Sequence, residues 1–202
     1  MGLNLESIKT AVFAGDLFWG MRLFPATCAK ILRCDPAKIK TKPLVESNDF
    51  PHLTENLLER LAACTNFIEA VAVYENVLKT LSLSPTDCDE RVTEAARIIE
   101  ENRGEIKIAE LARKVNLSPR QLERRFKQNS GLTPKQYSRA RRIRATAANL
   151  VEEASLNWAS RAAAMGFTDQ SHLTREFVSV TGRSPKSFAA KVKQIEHGNL
   201  IK

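Results

Sequence analysis

The second half of the chain carries apolar residues at the three- and four-residue intervals of amphipathic helices. Val92, Ala95, Ala96 and Ile99 follow the i, i+3, i+4, i+7 rule, and Gly104 supplies a stop for this helix. Before about residue 82 the pattern is less regular. The first half therefore needs a separate interpretation.

The first half favours short helices. The sequence LFWGMRLF is short, partly alternating and aromatic, which favours a strand, and PATCAKILRC can begin a helix. We therefore expect a mainly α protein whose small N-terminal region is mostly helical and could include one short strand. From Thr54 to Leu81, one or two amphipathic helices are indicated by Leu57, Leu58, Leu61, Ile68, Val71, Val77, Leu78 and Leu81.

The sequence IAELARKVNLSPRQLERRFKQNSG predicts two helices joined by a tight turn. The first helix ends at Val115, and Asn116 can adopt the left-handed conformation of a turn. Ser118, Pro119 and Gln121 give the second helix an N-cap, an N1 proline and a capping-box partner. A helix, a tight turn and a second capped helix form the helix-turn-helix pattern.

An internal repeat predicts a second copy of this pattern. Two offsets relate the copies. In the first helix and the turn the offset is 50, which matches Ala112 with Ala162 and Asn116 with Gly166; it then becomes 51, so the second turn is one residue longer. An offset of 51 relates Leu122, Arg124, Phe126, Gly131, Pro134 and Lys135 to Leu173, Arg175, Phe177, Gly182, Pro185 and Lys186.

A single long helix is predicted between the two copies, in TPKQYSRARRIRATAANLVEE, with Thr133 as N-cap, Pro134 at N1 and Gln136 at N3. It is about 28 Å long, comparable to the roughly 34 Å helical turn of B-DNA, so two recognition helices could enter successive major grooves. A face able to pack on both copies carries Tyr137, Ala140, Ile143, Ala147, Leu150 and Val151.

The cluster SLSPTDCDE separates the two halves, because Ser, Pro and Asp favour loops. We place the domain boundary there. The resulting division is an N-terminal region 1–86 and a C-terminal domain 87–202, made of unit one at about 89–131, a linker helix at about 133–152 and unit two at about 155–190.

Charge separates the halves as well. Residues 1–88 contain 9 Lys and Arg against 10 Asp and Glu, whereas residues 89–202 contain 22 against 13. The whole formal surplus of +8 thus comes from the second half. Such an excess is expected of a unit that approaches a polyanion, which composition alone does not identify as DNA, RNA or an anionic membrane.

Several classes of protein are disfavoured. No run of about 18 apolar residues and no signal peptide is present, so we expect a cytoplasmic protein with no membrane partner. We expect no cofactor, no metal site and no enzymatic activity, since G-x-S-x-G and H-E-x-x-H are absent. Free thiols are the simplest interpretation of the scattered cysteines Cys28, Cys34, Cys64 and Cys88.

Two stretches, AELARKVNLSPRQLERRF and GFTDQSHLTREFVSVTGRSPKSF, resemble the two helix-turn-helix units of AraC/XylS transcriptional regulators. The resemblance covers about residues 89–190. It implies an all-helical module whose third and sixth helices read double-stranded DNA in the bacterial nucleoid, with RNA polymerase as a partner. Activation or repression would follow from where the DNA site lies relative to a promoter, which no residue encodes. Relatives commonly carry a complete effector-binding domain, whereas about 88 residues precede the module here. Residues 17–81 look like the last portion of such a domain, a remnant that puts effector binding in doubt.

The resemblance also implies DNA-reading positions. Residue geometry adds Lys127, because Leu122 and Phe126 point to the core and leave Lys127 on the opposite face. Arg can bind O6 and N7 of guanine with two hydrogen bonds, and Gln can do the same for adenine. Phosphate contact stays open for each position. The aligned positions are Arg120, Glu123 and Arg124 on the first recognition helix and Gln170, Ser171, Thr174 and Arg175 on the second.

Three features leave alternatives open. Arg161 stands where unit one has Leu111, so unit two is either looser or packs the arginine stem. His172 is aligned with a family position near the DNA backbone, and a capping or packing role is an equal alternative. One or two of the linker arginines are expected to contact phosphates, from the set Arg139, Arg141, Arg142 and Arg144.

Two rival functions remain. The first is a truncated regulator that acts through protein–protein interaction without specific DNA reading, suggested by the short N-terminal region and by Arg161. The second is cysteine-dependent repair of alkylated DNA, which a subset of relatives combine with this module.

Overall fold

The computed structural model describes residues 21–39, 50–54, 56–81, 88–152 and 157–199. The chain is mainly helical, as predicted, and the described residues contain no strand. Residues 21–24 form neither helix nor strand, and the first half of the expected strand lies outside the described residues. So does the centre of the expected domain boundary, residues 82–87.

The helices follow a 3₁₀ turn at Pro25–Thr27, which begins the helix expected in PATCAKILRC. They are α1 Cys28–Leu32, α2 Pro36–Ile39, α3 Pro51–Thr54, α4 Leu57–Ala62, α5 Phe67–Thr80, α6 Glu90–Glu101, α7 Ile108–Lys114, α8 Pro119–Ser130, α9 Pro134–Glu152, α10 Trp158–Ala164, α11 Gln170–Thr181 and α12 Pro185–Asn199.

The turn between α7 and α8 has the predicted geometry. Val115 is the C-cap of α7, and Asn116 has a φ of 54°. The Ser118 hydroxyl accepts a hydrogen bond from the Gln121 backbone N–H, and the Gln121 side chain accepts one from the Ser118 N–H. This capping box starts α8 and fixes the angle at which it leaves the turn.

Helices α10 and α11 repeat this arrangement. They have the lengths of α7 and α8, and the C-caps Val115 and Met165 share φ −102° and ψ 14°. Gly166 has a positive φ of 69°, like Asn116. The N-cap of α11 is Asp169, and the turn is one residue longer than in unit one, as the change of offset predicted.

Each unit has its own hydrophobic core. Helix α9 is one unbroken helix of 19 residues that reaches both cores, through Tyr137 at the first and through Ile143 and Leu150 at the second. The first core contains Ala26, Val92, Ala95, Ala96, Ile98, Ile99, Leu111, Ala112, Val115, Leu122 and Phe126. The second contains Ile143, Leu150, Ala162, Met165, Phe167, Leu173 and Phe177.

Arg161 is buried in unit two with 2% of its surface exposed. Its guanidinium donates a hydrogen bond to the Asn149 backbone carbonyl at 2.8 Å and another to the Asn149 side chain. It also lies over the Trp158 ring. Asn149 belongs to the last turn of α9, where carbonyls have no partner within the helix. The arginine therefore packs its stem and also binds the end of the linker helix.

Part of the N-terminal region packs on unit one. The turn at Pro25–Thr27 contacts α6 and α8, and α1 and α2 contact α8. At Gly131, which ends α8 with φ +72°, a Cβ atom would lie 2.8 Å from the carbonyl carbon of Pro36. Helix α2 thus sits directly against the end of α8.

Helices α4 and α5 form a small hairpin with a separate core of Leu61, Cys64 and Ala70. Of the one or two helices expected here, the structure has two. The assignment of Leu58 and Ile68 to a buried face is wrong, since they are 63% and 80% exposed. The hairpin buries only the faces that meet each other, and the other apolar positions remain outside.

Candidate nucleic-acid interface

The outer face of α8 forms a shallow depression in the protein surface. It is lined by the four residues predicted for DNA contact, Arg120, Glu123, Arg124 and Lys127, together with Ser118 and Gln121. All six are exposed. Leu122 and Phe126 lie four residues apart and are fully buried on the opposite face, so Arg120, Arg124 and Lys127 share the outer face of α8.

The outer face of α11 carries the predicted residues of unit two. Gln170, Ser171 and Arg175 are exposed and Thr174 is half-buried. Leu173 and Phe177 are fully buried, at the repeat positions of Leu122 and Phe126. The structure thus brings the predicted residues together on each helix separately.

The side-chain cations on these two surfaces have no partner among the residues that the structure describes. Within the described ranges, the side chains of Arg120, Arg124, Lys127 and Arg175 take part in no ion pair and donate no hydrogen bond. An exposed cation without a protein partner keeps its donors available to an anion such as a phosphate, or to the acceptors of a base edge. This availability separates the two surfaces from the linker helix.

Three of the four linker arginines bind within the protein. Arg141 pairs with Glu100, and Arg142 donates to Glu176 at 3.1 Å. Arg139 lies 3.7 Å from Glu176 and also bonds to the Ser179 hydroxyl. Arg144 is exposed, so it stays the linker residue for which phosphate contact is proposed.

Glu100 joins three parts of the chain and was not singled out from the sequence. Its carboxylate accepts hydrogen bonds from Tyr137 and, at 3.1 Å, from Arg22, and it pairs with Arg141. Burial, followed by the hydrogen bond to Glu100, raises the pKa of Tyr137. The partners of Glu100 lie 37 to 78 residues away along the chain, so helical periodicity gives no sign of them.

His172 contributes to packing and to the turn of unit two. Its Nδ1 accepts a hydrogen bond from the Thr168 backbone N–H at 3.3 Å, and its ring meets the Phe167 ring edge-on at 5.5 Å. These contacts favour the packing interpretation over a DNA contact.

The environment of Cys28 is unfavourable for a nucleophile. Burial raises the pKa of its thiol to about 11, and the thiol points to the Phe24 carbonyl. A reactive cysteine needs a lowered pKa. In the described part of the chain, no group of three or more His, Cys, Asp or Glu residues is arranged to hold a metal ion. No helix there has the length and apolar character to cross a bilayer.

Comparison with known proteins gives one match. Residues 111–191 match a family model described as a helix-turn-helix domain, and this match supports the AraC-type module. No curated protein and no solved structure matches the chain significantly. A domain of this family is regulatory rather than enzymatic, so the match supports a DNA-binding transcriptional regulator.

Proposed function

We propose that the chain is a sequence-specific transcriptional regulator that inserts α8 and α11 into successive major grooves of double-stranded DNA. Helix α9 is about 28 Å long, from 19 residues at 1.5 Å each, which is close to the roughly 34 Å turn of B-DNA. The proposal places the protein at the bacterial nucleoid, with RNA polymerase as a further partner. It requires no small-molecule effector.

The observation that carries the proposal is the set of unpartnered cations on the two recognition surfaces. Arg124 and Arg175 occupy the same repeat position, are exposed, and have no acceptor among the described residues. By contrast, Arg141 and Arg142 on the linker helix pair with the carboxylates of Glu100 and Glu176. Solubility alone does not require an exposed arginine at the same position of both repeat copies. Contact with DNA by both recognition helices would require it.

Base preference at single positions tests the proposal. We expect Arg124→Ala and Arg175→Ala each to relax the preference at one base pair, in different half-sites. Each loss corresponds to about 1–3 kcal/mol of discrimination. The measurement is the affinity for the preferred sequence and for its single-base variants, by fluorescence anisotropy at one salt concentration.

Arg97→Ala is the matched control. Arg97 is an exposed arginine on α6 whose partners, Glu94 and Glu101, lie on the same helix. Its loss removes the same formal charge and should leave base preference intact. Equal weakening on every sequence by Arg124→Ala and Arg175→Ala would instead make these residues phosphate contacts.

One observation favours the rival function of a regulator acting through protein–protein interaction. Phe67 and Ile68 are adjacent on α5 and are 72% and 80% exposed in the described part of the chain, so they form an apolar surface that another protein could contact. Binding that is equally strong on all DNA sequences would favour this rival. A footprint confined to one short sequence would exclude it.

A further inference from the structure

Helix α11 is joined to the linker helix by a polar junction centred on Glu176. The Glu176 carboxylate accepts a hydrogen bond from Arg142 at 3.1 Å and lies 3.7 Å from the Arg139 guanidinium. His172 Nε2 is 3.5 Å away. Glu176 is only 21% exposed, so water screens these contacts less than those of a surface pair.

Arg142 extends the junction to the turn of unit two. Its second terminal nitrogen donates to the Gly166 carbonyl at 3.3 Å, and its guanidinium carbon lies 4.9 Å from the centre of the Phe167 ring. One linker side chain therefore contacts α11, the preceding turn and the aromatic core beside it. These contacts fix α11 on the linker helix in both position and angle.

Unit one has a counterpart with the opposite charges. The repeat offset of 51 relates Glu176 to Arg125, which pairs with Asp89 at 3.1 Å. Asp89 is the N-cap of α6, so this pair joins the recognition helix to a helix of the same unit. In unit two the pair joins the recognition helix to α9, which also packs on unit one through Tyr137.

The junction lies where the two units meet. Glu176 lines one groove together with residues 104–110 of unit one. At Gly104 (φ +82°), a Cβ atom would be 2.1 Å from the Ser138 carbonyl oxygen of α9. At Gly166 it would be 2.6 Å from the Glu105 side chain. The loop of unit one is thus in close contact with both the linker helix and the turn of unit two.

We propose that Glu176 is a positioning residue that sets the distance and angle between the two recognition helices, and through them the spacing allowed between the two DNA half-sites. This inference rests on the proposed function. Glu176 acts through Arg139 and Arg142 and contacts no base. Loss of its charge lets α11 move relative to unit one, while α11 keeps its own base-reading side chains.

The test uses the full chain and a series of duplexes in which the same two half-sites are moved one base pair closer or farther apart. We expect wild type to prefer one spacing. We expect Glu176→Gln to reduce that preference by roughly fivefold, equivalent to about 1 kcal/mol of coupling, with single-base preferences in each half-site unchanged. An unchanged spacing ratio in Glu176→Gln would overturn the inference.

Asp89→Asn is the matched control, because it removes the equivalent ion pair in unit one and asparagine still caps α6. It should leave the spacing ratio unchanged. If Glu176→Gln does not fold, Arg139→Gln is the second variant, because it keeps the hydrogen bond between Arg142 and Glu176. It should also reduce the preference for one half-site spacing. A uniform loss at all spacings would make Arg139 a phosphate contact and would count against the inference. If the wild-type protein showed no preferred DNA sequence, that result would contradict the proposed function and not this inference alone.

Discussion

The two units share one backbone arrangement and one exposed arginine, at Arg124 and Arg175, but differ in where several other charges lie. Unit one has Leu111 in its core and puts Arg120 and Lys127 on its recognition surface. At the matching positions, unit two has Arg161 in its core and the neutral residues Ser171 and Val178 outside. Repeat offsets of 50 and 51 relate these residues.

This difference shows that the fold depends on caps, turn conformation and aromatic positions more than on the identity of every core residue. The pairs Phe126–Tyr137 and Phe177–Phe188 stand at matching repeat positions with ring centroids 5.5 and 5.4 Å apart, at interplanar angles of 48° and 75°, so each recognition helix packs on an aromatic ring of the helix that follows it. We infer that unit one provides more of the electrostatic attraction to DNA. Unit two would depend more on neutral contacts.

The largest expected effect concerns the buried core position. Leu111→Ala and Arg161→Ala should each lower the free energy of unfolding by about 3 kcal/mol, because both leave a cavity. Arg161→Leu, which gives unit two the residue of unit one, should cost less than Arg161→Ala, about 1–2 kcal/mol, since leucine fills most of the cavity and only the hydrogen bonds to Asn149 are lost. Urea denaturation measures all three. If Arg161→Leu is as damaging as Arg161→Ala, the bonds to Asn149 matter more than packing.

The next effect concerns the glycines that end the recognition helices. Gly131 and Gly182 have φ values of 72° and 69°, so alanine at either should cost about 1 kcal/mol. Gly131→Ala should cost about 2 kcal/mol more, because its Cβ would meet the Pro36 backbone of α2. Thermal unfolding of the two variants compares them. Equal losses of stability in the two variants would show that α2 can move away at little cost and does not stabilise unit one.

A smaller difference between the units is the hydroxyl of Tyr137, which Phe188 lacks at the matching position of unit two. Tyr137→Phe removes the hydrogen bond to Glu100 and should cost about 1 kcal/mol. The raised pKa means that this stabilisation is fully present below pH 10.0 and is lost above it, because the unfolded chain then releases a proton that the folded chain retains. Stability between about pH 9 and 11 should fall more steeply in wild type than in Tyr137→Phe. If stability fell with pH equally in wild type and Tyr137→Phe, the raised pKa of Tyr137 would be contradicted.

The smallest expected effect concerns the salt dependence of DNA binding. Lys127→Ala should make the log–log slope of affinity against salt shallower by about 0.9, the contribution of one phosphate contact. Val178→Lys, at the matching position of unit two, should make it steeper by a similar amount. Anisotropy titrations between about 50 and 200 mM salt give both slopes. No change in either variant would place position 127 and its counterpart away from the phosphates.

Much of the C-terminal fold could be predicted because it depends on local signals. The Ser118 capping box, the left-handed Asn116 and the longer second turn all follow from short-range rules and from the repeat. The predicted core positions, such as Leu122 and Phe177, are fully buried because helical periodicity decides which side of a helix faces its neighbour.

The remaining features depend on contacts between distant residues. Helical spacing places Arg141 and Arg142 on α9 but does not reveal Glu100 and Glu176, which lie far along the chain. One signal was present: the repeat pairs Arg125 with Glu176, and this reversal of charge indicates different partners in the two units. The packing of α2 on α8 had no such signal, because a four-residue helix carries too little periodicity.

Hydroxyl-radical footprinting on the preferred sequence selected from a random DNA pool tests the central claim most directly. We expect two protected segments whose centres are separated by about 10–10.5 base pairs, because both recognition helices would lie in successive major grooves. A single protected segment, or protection spread evenly over unrelated sequences, would contradict reading by two helices.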